Sequence, residues 1–85
     1  MGVRIKFFTT LRKAAGIDGL ELEPTTVGKA VKQLLKRFND NSEFARQLKM
    51  SNAILNGTNV TYLKGASTKL SDGDELVFFP PVGGG

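Results

Sequence analysis

The sequence predicts an α+β fold, in which one main helix packs across one face of a mixed sheet of four to five strands. Residues 25–38 carry apolar side chains at spacings of three and four, which is the pattern of an amphipathic helix. Short alternating or continuous apolar runs on either side of this segment are typical of strands. A single helix of this length cannot bury its apolar face alone, so it must pack on the sheet.

The N-terminal part of the chain predicts a β-hairpin. Residues 3–8, VRIKFF, alternate apolar and basic side chains and predict the first strand. Residues 9–17 break this alternation and are expected to form a loop, and residues 20–23, LELE, predict a second strand antiparallel to the first. The carboxylates of the second strand are then expected to lie opposite Arg4 or Lys6.

The middle of the chain predicts the helices. Pro24 ends the second strand, and Thr25 or Thr26 is expected to cap the main helix. After the polar segment Asn39-Asp40-Asn41, residues 42–50 predict a short second helix.

The last third of the chain predicts three more strands, over residues 52–56, 59–63 and 75–79, with a loop at residues 65–69. The final strand, ELVFF, is almost continuously apolar, as expected of a strand at the centre of a sheet. If it lies beside the first strand, the two apolar strands occupy the centre of the sheet under the helix. This order of elements is that of the β-grasp fold.

The residue types in the chain limit its chemistry. Neither Cys nor His occurs among the 85 residues, which excludes disulfides and removes the commonest general base and metal ligand. No nucleophile–base arrangement is recognisable, so an independent enzyme is the least favoured class. Asp72, Asp74 and Glu75 lack the ligand number of a calcium loop and are expected to order a turn, so no metal site is predicted.

The net charge of +4 indicates a lysine-rich soluble surface or a surface that docks on an acidic protein. Nucleic-acid binding is not expected, because there is no basic run of five residues and no RNA-recognition aromatic motif. We also expect no membrane association, since no apolar run reaches membrane length. The first ten residues do not resemble a signal peptide, so the expected location is the cytoplasm.

The sequence divides into a predicted domain, residues 1–79, and a predicted flexible reactive tail, residues 80–85, PPVGGG. Pro80 and Pro81 fix φ and cannot donate backbone hydrogen bonds, so they end the sheet and direct the chain outward. The tail that follows, from Val82 through Gly83 and Gly84 to Gly85, is expected to thread into a narrow channel, because its glycines have no Cβ.

Two blocks of the sequence carry a family resemblance. IKFFTTLRKAAG, residues 5–16, and LSDGDELVFFPPVGGG, residues 70–85, resemble the first strand and the C-terminal block of molybdopterin synthase small subunits. The thiamine-pathway sulfur carriers and small archaeal modifier proteins share this ubiquitin-like fold. Gly83 departs from the family, whose small subunits often have Ser, Thr or Ala there, and it lengthens the glycine run.

This resemblance implies a mechanism centred on the carboxylate of Gly85. An activating enzyme of the ubiquitin-activating type adenylates it with ATP and Mg²⁺, and a sulfur donor converts the acyl-adenylate to a thiocarboxylate. Neither cofactor is bound by this chain itself. The molybdopterin synthase large subunit is the implied partner in sulfur transfer. Alternatively, as in small archaeal modifiers, the activated carbonyl passes to a Lys amine of a target protein.

A carrier must also dock on its partners, and alternation predicts where. An apolar cluster is expected on the face of the sheet away from the main helix, and cations near it could steer an acidic partner. The alternative is that loops or the second helix cover the cluster. The predicted interface residues are Phe8, Ile54, Val77, Phe79 and Arg12.

Three functions remain open from the sequence. The first is a sulfur carrier, as the sulfur-carrying small subunit of a synthase complex. The second is a protein modifier that forms isopeptide bonds, and one molecule could serve both roles. The third is a β-grasp interaction domain with an inert tail.

Overall fold

The computed structural model describes residues 2–81, which form a five-stranded mixed sheet and three α-helices. The predicted α+β class with a β-grasp sheet is confirmed. The elements in chain order are β1 (Val3–Phe7), α1 (Thr9–Ala15), β2 (Gly19–Leu22), α2 (Val27–Arg37), α3 (Ser42–Met50), β3 (Asn52–Leu55), β4 (Thr58–Asn59) and β5 (Glu75–Phe79).

The strand order in the sheet is β2-β1-β5-β3-β4. β1 and β5 are parallel neighbours with Ile5 opposite Leu76, whereas β2 and β3 pair antiparallel to β1 and β5 respectively. The predicted placement of the last strand beside the first is therefore confirmed. The two most apolar strands occupy the inside of the sheet, where each is paired with a neighbouring strand on both edges.

The main helix, α2, packs on the inner face of this sheet. Its buried side chains are Val27, Ala30 and Leu34, at the predicted spacings of three and four. Thr26 caps it, because its hydroxyl accepts a 3.2 Å hydrogen bond from the Lys29 amide. The sheet residues on the same side are almost completely buried, among them Val3, Ile5, Phe7, Leu76 and Phe78.

The predicted second helix is present as α3. Asn41 caps it by accepting a 2.9 Å hydrogen bond from the Phe44 amide. The Phe44 ring stacks on Phe38 with centroids 4.2 Å apart and meets Phe7 edge-on at 5.3 Å. α3 thus closes the core at one end of α2. On its exposed side, hydrogen bonds from Arg46 and then Gln47 lower the pKa of Glu43.

The prediction of a loop over residues 9–17 was wrong, because residues 9–15 form α1. Leu11 is fully buried in the core, and Ala14 and Ala15 pack against it, a helical spacing of three and four. Gly16 ends the helix with a φ of 77° and donates a hydrogen bond to the Arg12 carbonyl. The sequence predicted a loop here because the turn residues Gly16 and Asp18-Gly19 follow the short apolar pattern closely.

The predicted strand over residues 59–63 is also corrected. β4 has only two residues, and a 3₁₀ turn follows over Val60–Tyr62. The Asn59 side chain accepts hydrogen bonds from both the amide and the hydroxyl of Thr61, each 2.9 Å, which turns the chain out of the sheet. Residues 65–67, expected to be loop, form a second 3₁₀ turn. Across residues 2–81, no helix is long and apolar enough to span a membrane.

Candidate functional site

Most of the predicted interface residues lie on one side of the sheet, the side away from α2. We call this side the outer face. Strand pairing places its side chains in rows, with Lys6, Val77 and Ile54 next to one another in one row and Phe79 beside Asn52 in the next. The half-buried residues Ile54, Val77 and Phe79 therefore form one continuous apolar strip across β3 and β5.

Phe8 extends this strip beyond the end of β1. It is 48% exposed and lies between the strand and α1 rather than within the strand. Its amide donates a 3.1 Å hydrogen bond to the Phe78 carbonyl, so its backbone is attached to the end of β5. The next residue, Thr9, has a φ of 56°, which is unusual for a β-branched residue and marks the sharp turn into α1. Sequence reasoning placed Phe8 on the strand and missed this turn.

The second helix does not cover the apolar strip. Its buried residues Phe44 and Leu48 belong to the core cluster, together with inner-face residues such as Phe7. The alternative explanation that α3 shields the outer face is therefore wrong. The strip is partly exposed in the described chain, as a docking surface requires.

Charged side chains border the strip on its β1 side. Lys6 Nζ lies 3.1 Å from Glu75 Oε2, and both side chains are about half exposed. Arg4 lies opposite Glu21 in the β1–β2 register, as predicted, although the Glu21 carboxylate accepts its hydrogen bond from the Gly2 amide. The Lys6–Glu75 pair was not predicted, because it follows from the parallel β1–β5 register.

Arg12 lies on α1, outside the apolar strip. Its Nε is 3.8 Å from Asp18 Oδ1, and both side chains are exposed. The structure brings Arg12 together with Arg4, Lys6 and Phe8 around a shallow depression of about 380 Å³. The outer face thus combines an apolar strip with a margin in which Lys6 and Arg12 lie beside Glu75 and Asp18, an arrangement suited to a partner with an apolar patch bordered by charged groups.

The root of the predicted tail is held by the central strand. β5 is hydrogen-bonded to β1 on one side and to β3 on the other, and it ends at Phe79. Pro80 follows with a fully buried side chain, and Pro81 is exposed. The prediction assigned both prolines to the tail, yet Pro80 packs into the domain. The predicted threading residues Val82, Gly83 and Gly84 and the reactive Gly85 lie outside the described residues.

The turn before β5 fixes the other end of this strand. The Asp74 carboxylate accepts hydrogen bonds from the Ser71 amide at 2.8 Å and from the Asn56 side chain at 3.0 Å. The Asn56 side-chain oxygen in turn accepts from the Glu75 amide at 2.9 Å. These contacts give Asp74 the turn-ordering role expected from the sequence. Within residues 2–81 no cluster of three or more carboxylates is arranged to hold a metal ion.

A β-grasp sheet that extends its C-terminal segment from the central strand, beside a partly apolar outer face, defines a ubiquitin-like domain. The chain belongs to the ThiS family, whose sequence profile matches residues 5–85.

Two curated relatives match the chain over nearly its whole length. Small archaeal modifier protein 3 of Haloferax volcanii is 30% identical over 92 residues, which cover all of both chains. The molybdopterin synthase sulfur carrier subunit of Escherichia coli is 33% identical over 86 residues, covering 98% of this chain and 99% of the relative. The family thus relates this chain to both sulfur carriers and ubiquitin-like modifiers.

Solved structures agree with the fold. Small archaeal modifier protein 1 from Methanosarcina acetivorans is 29% identical with a TM-score of 0.81, covering 98% of this chain and 95% of that one. A chain from the Amycolatopsis orientalis BexX/CysO complex is 24% identical with a TM-score of 0.79, covering 99% of this chain and all of that one. This second likeness shows the fold alone.

Proposed function

We propose that this chain is a ubiquitin-like sulfur carrier whose Gly85 carboxylate is adenylated and then converted to a thiocarboxylate, with sulfur delivery to molybdopterin synthesis as its role. The observation that carries the proposal is the family match, which runs through Gly85 on a chain whose last described segment leaves the central strand. The identity with a molybdopterin synthase sulfur carrier subunit supports the assignment to this pathway.

The reaction needs two steps, because a carboxylate is a poor electrophile. The Gly85 carboxylate first attacks the α-phosphorus of ATP, forming an acyl-adenylate and releasing pyrophosphate. A sulfide-level nucleophile then attacks the acyl carbon, a C–S bond forms, and AMP leaves with the electrons of the broken C–O bond. Both steps take place in the activating enzyme, which binds ATP and Mg²⁺. This chain supplies only the acyl group.

The fold supports this division of labour by fixing the position from which the acyl group is presented. The strand pairings on both sides of β5 and the buried Pro80 hold the tail root against the domain. The five residues from Pro81 to Gly85 could then reach roughly 17 Å from it if extended. That reach suits a reactive group that must enter a partner's active site.

We also propose that the outer face is the docking surface for both partners, the activating enzyme and a molybdopterin synthase large subunit. The apolar strip of Ile54, Val77 and Phe79 lies at the same end of the sheet as the tail root, and Phe8 extends it. A partner that covers this strip would also receive the tail. The cytoplasm, where ATP is available, is the proposed location.

A second candidate function is protein modification, favoured by the 30% identity with a small archaeal modifier. The same acyl-adenylate would be attacked by the neutral amine of a target lysine, directly or through a thioester, giving an amide bond. Both functions use one activated carbonyl and differ only in the nucleophile, so one chain could perform both.

Mass spectrometry of the protein from its native cells distinguishes these functions. A carrier is expected to show replacement of one oxygen by sulfur at Gly85, and a modifier an amide between Gly85 and a lysine of another protein. A variant that lacks Gly84 and Gly85 should show neither product, whereas the matched variant Tyr62→Ala, altered at an exposed residue, should behave as the wild type. If the wild-type protein carries neither modification and the deletion has no cellular effect, the inert-tail interaction domain is the correct function.

A further inference from the structure

The exposed side of α2 is a basic stripe, on the opposite side of the molecule from the outer face. At 100° per residue, its exposed side chains fall next to one another along one side of the helix. α2 has no acidic residue over its length. The basic stripe consists of Lys29, Lys32, Gln33, Lys36 and Arg37.

This stripe accounts for the whole net charge of the protein. The chain has 12 basic and 8 acidic residues, and the stripe holds four of the basic ones, so the rest of the chain is balanced. The ion pairs found within residues 2–81 join Lys6 with Glu75, Arg12 with Asp18 and Arg46 with Glu43. None of them neutralises a cation of α2. The nearest acidic residues in sequence, Glu23 and Asp40, lie beyond the two ends of the helix.

Helix stability does not account for this arrangement. Lys32 and Lys36 are four residues apart, a spacing at which like charges destabilise a helix. Lys29 lies in the first turn, where the helix dipole disfavours a cation. Lys36 and Arg37 do suit the dipole at the C-terminal end. A glutamate at position 32 or 33 would stabilise the isolated helix, so helix stability does not explain why α2 lacks acidic residues, and a role in binding is favoured.

The location of the stripe leaves the outer face of the sheet free. The opposite side of α2, formed by Val27, Ala30 and Leu34, is buried against the inner face of the sheet, so the stripe faces away from it. The outer face therefore stays accessible when a partner covers the stripe.

We propose that the basic stripe docks an acidic helix of a protein partner while the outer face and tail engage the activating or acceptor enzyme. From Lys29 to Arg37 the stripe runs about 12 Å along the helix axis. Carboxylates three, four and seven residues apart on a facing helix have the matching spacing of about 5–6 Å between neighbours. The central Gln33 offers an amide that can donate to one of these carboxylates.

Charge and composition favour a protein over a nucleic acid. Four cations neutralise at most four phosphates, which gives weak, sequence-independent binding at physiological salt. The stripe itself contains no aromatic side chain on which a base could stack. This inference concerns a binding surface and holds whether the tail carries sulfur or forms isopeptides.

The test uses the full chain and a synthetic 18-residue helical peptide that has glutamates three, four and seven residues apart along one face. At about 50 mM salt we expect saturable binding, by fluorescence anisotropy, that weakens at least tenfold at about 300 mM salt. The variant Lys32→Glu/Lys36→Glu should lose at least tenfold in affinity. The matched control Lys13→Glu/Lys49→Glu changes the net charge equally on α1 and α3 and should lose less than threefold.

Circular dichroism and urea unfolding verify that both double variants are folded. Four results would overturn the proposal. One is equal loss of affinity in the two double variants, because then net charge alone drives binding. Another is equal binding of a peptide with the same composition and scrambled glutamates. The third is absence of saturable peptide binding. The fourth is tighter binding of a single-stranded 20-nucleotide DNA, which would assign the stripe to nucleic acid.

Discussion

Phe8 and Tyr62 are exposed aromatic residues with different surroundings. Phe8 is 48% exposed beside the tail root, whereas Tyr62 is 83% exposed in the 3₁₀ turn that follows β4. An aromatic side chain next to a partly apolar strip is the kind of residue that dominates the free energy of protein association. We therefore place Phe8, and not Tyr62, on the proposed docking surface.

Truncation of Phe8 tests this assignment. Phe8→Ala should raise the KM for this chain in the activating enzyme's ATP–pyrophosphate exchange about tenfold, equivalent to roughly 1.4 kcal/mol of binding, with little change in kcat. Its free energy of unfolding should fall by less than about 1 kcal/mol, because the side chain is half exposed. Tyr62→Ala should change neither quantity. Equal KM values for the two variants would remove Phe8 from the docking surface.

Two short helices are joined through one asparagine. Asn41 caps α3 by accepting from the Phe44 amide, and its side-chain nitrogen donates a 2.7 Å hydrogen bond to the Ala14 carbonyl at the end of α1. Thr10 and Gln47 form a second side-chain contact between the same helices at 2.9 Å. α1 is thereby attached to α3 next to the turn that positions Phe8.

Substitutions at Asn41 should separate its two roles. Asn41→Ala removes both hydrogen bonds and should lower the free energy of unfolding by about 1–2 kcal/mol in urea titrations. Asn41→Asp keeps an acceptor for the Phe44 amide and lacks the donor to Ala14, so it should lose only about 0.5–1.5 kcal/mol. If aspartate is as destabilising as alanine, the cap contributes nothing and the link to α1 is the whole effect.

At the scale of elements, periodicity predicted the long structures and failed on the short ones. The regularly spaced apolar residues of α2 and the apolar run of β5 extend over enough residues to identify a helix and a central strand. α1 has only seven residues, and its three apolar positions are too few to outweigh neighbouring turn residues. The predicted strand over residues 59–63 failed because the Asn59 side chain accepts hydrogen bonds from Thr61, and these favour a turn over an extended strand.

The functional surface was predictable only in part. Alternation along β3 and β5 correctly separated Val77 and Phe79 from the buried Leu76 and Phe78. The contact of Lys6 with Glu75 required the register of two strands that are about 70 residues apart in sequence, which no local pattern contains. The reactive carboxylate of Gly85 remains a prediction from the sequence and the family.

At the scale of the whole molecule, the described domain is a mount for the C-terminal segment that ends in the proposed reactive carboxylate of Gly85. The mount includes the first proline after β5, because Pro80 is fully buried while Pro81 is exposed. Two adjacent prolines with the same backbone restriction therefore differ in packing. This difference allows the mount and the segment beyond it to be tested separately.

Pro80→Ala removes two buried methylene equivalents and relaxes the unfolded chain, so it should lower the free energy of unfolding by about 1–2 kcal/mol. For a domain of this size, that corresponds to a melting temperature lower by roughly 4–15 °C. Pro81→Ala should lower the melting temperature by less than Pro80→Ala does, because only the unfolded-state effect of about 0.4–1 kcal/mol remains. Calorimetry of both variants measures the two shifts in melting temperature. Equal shifts would show that Pro80 contributes no packing, and the domain would then end at Phe79, as the sequence alone suggested.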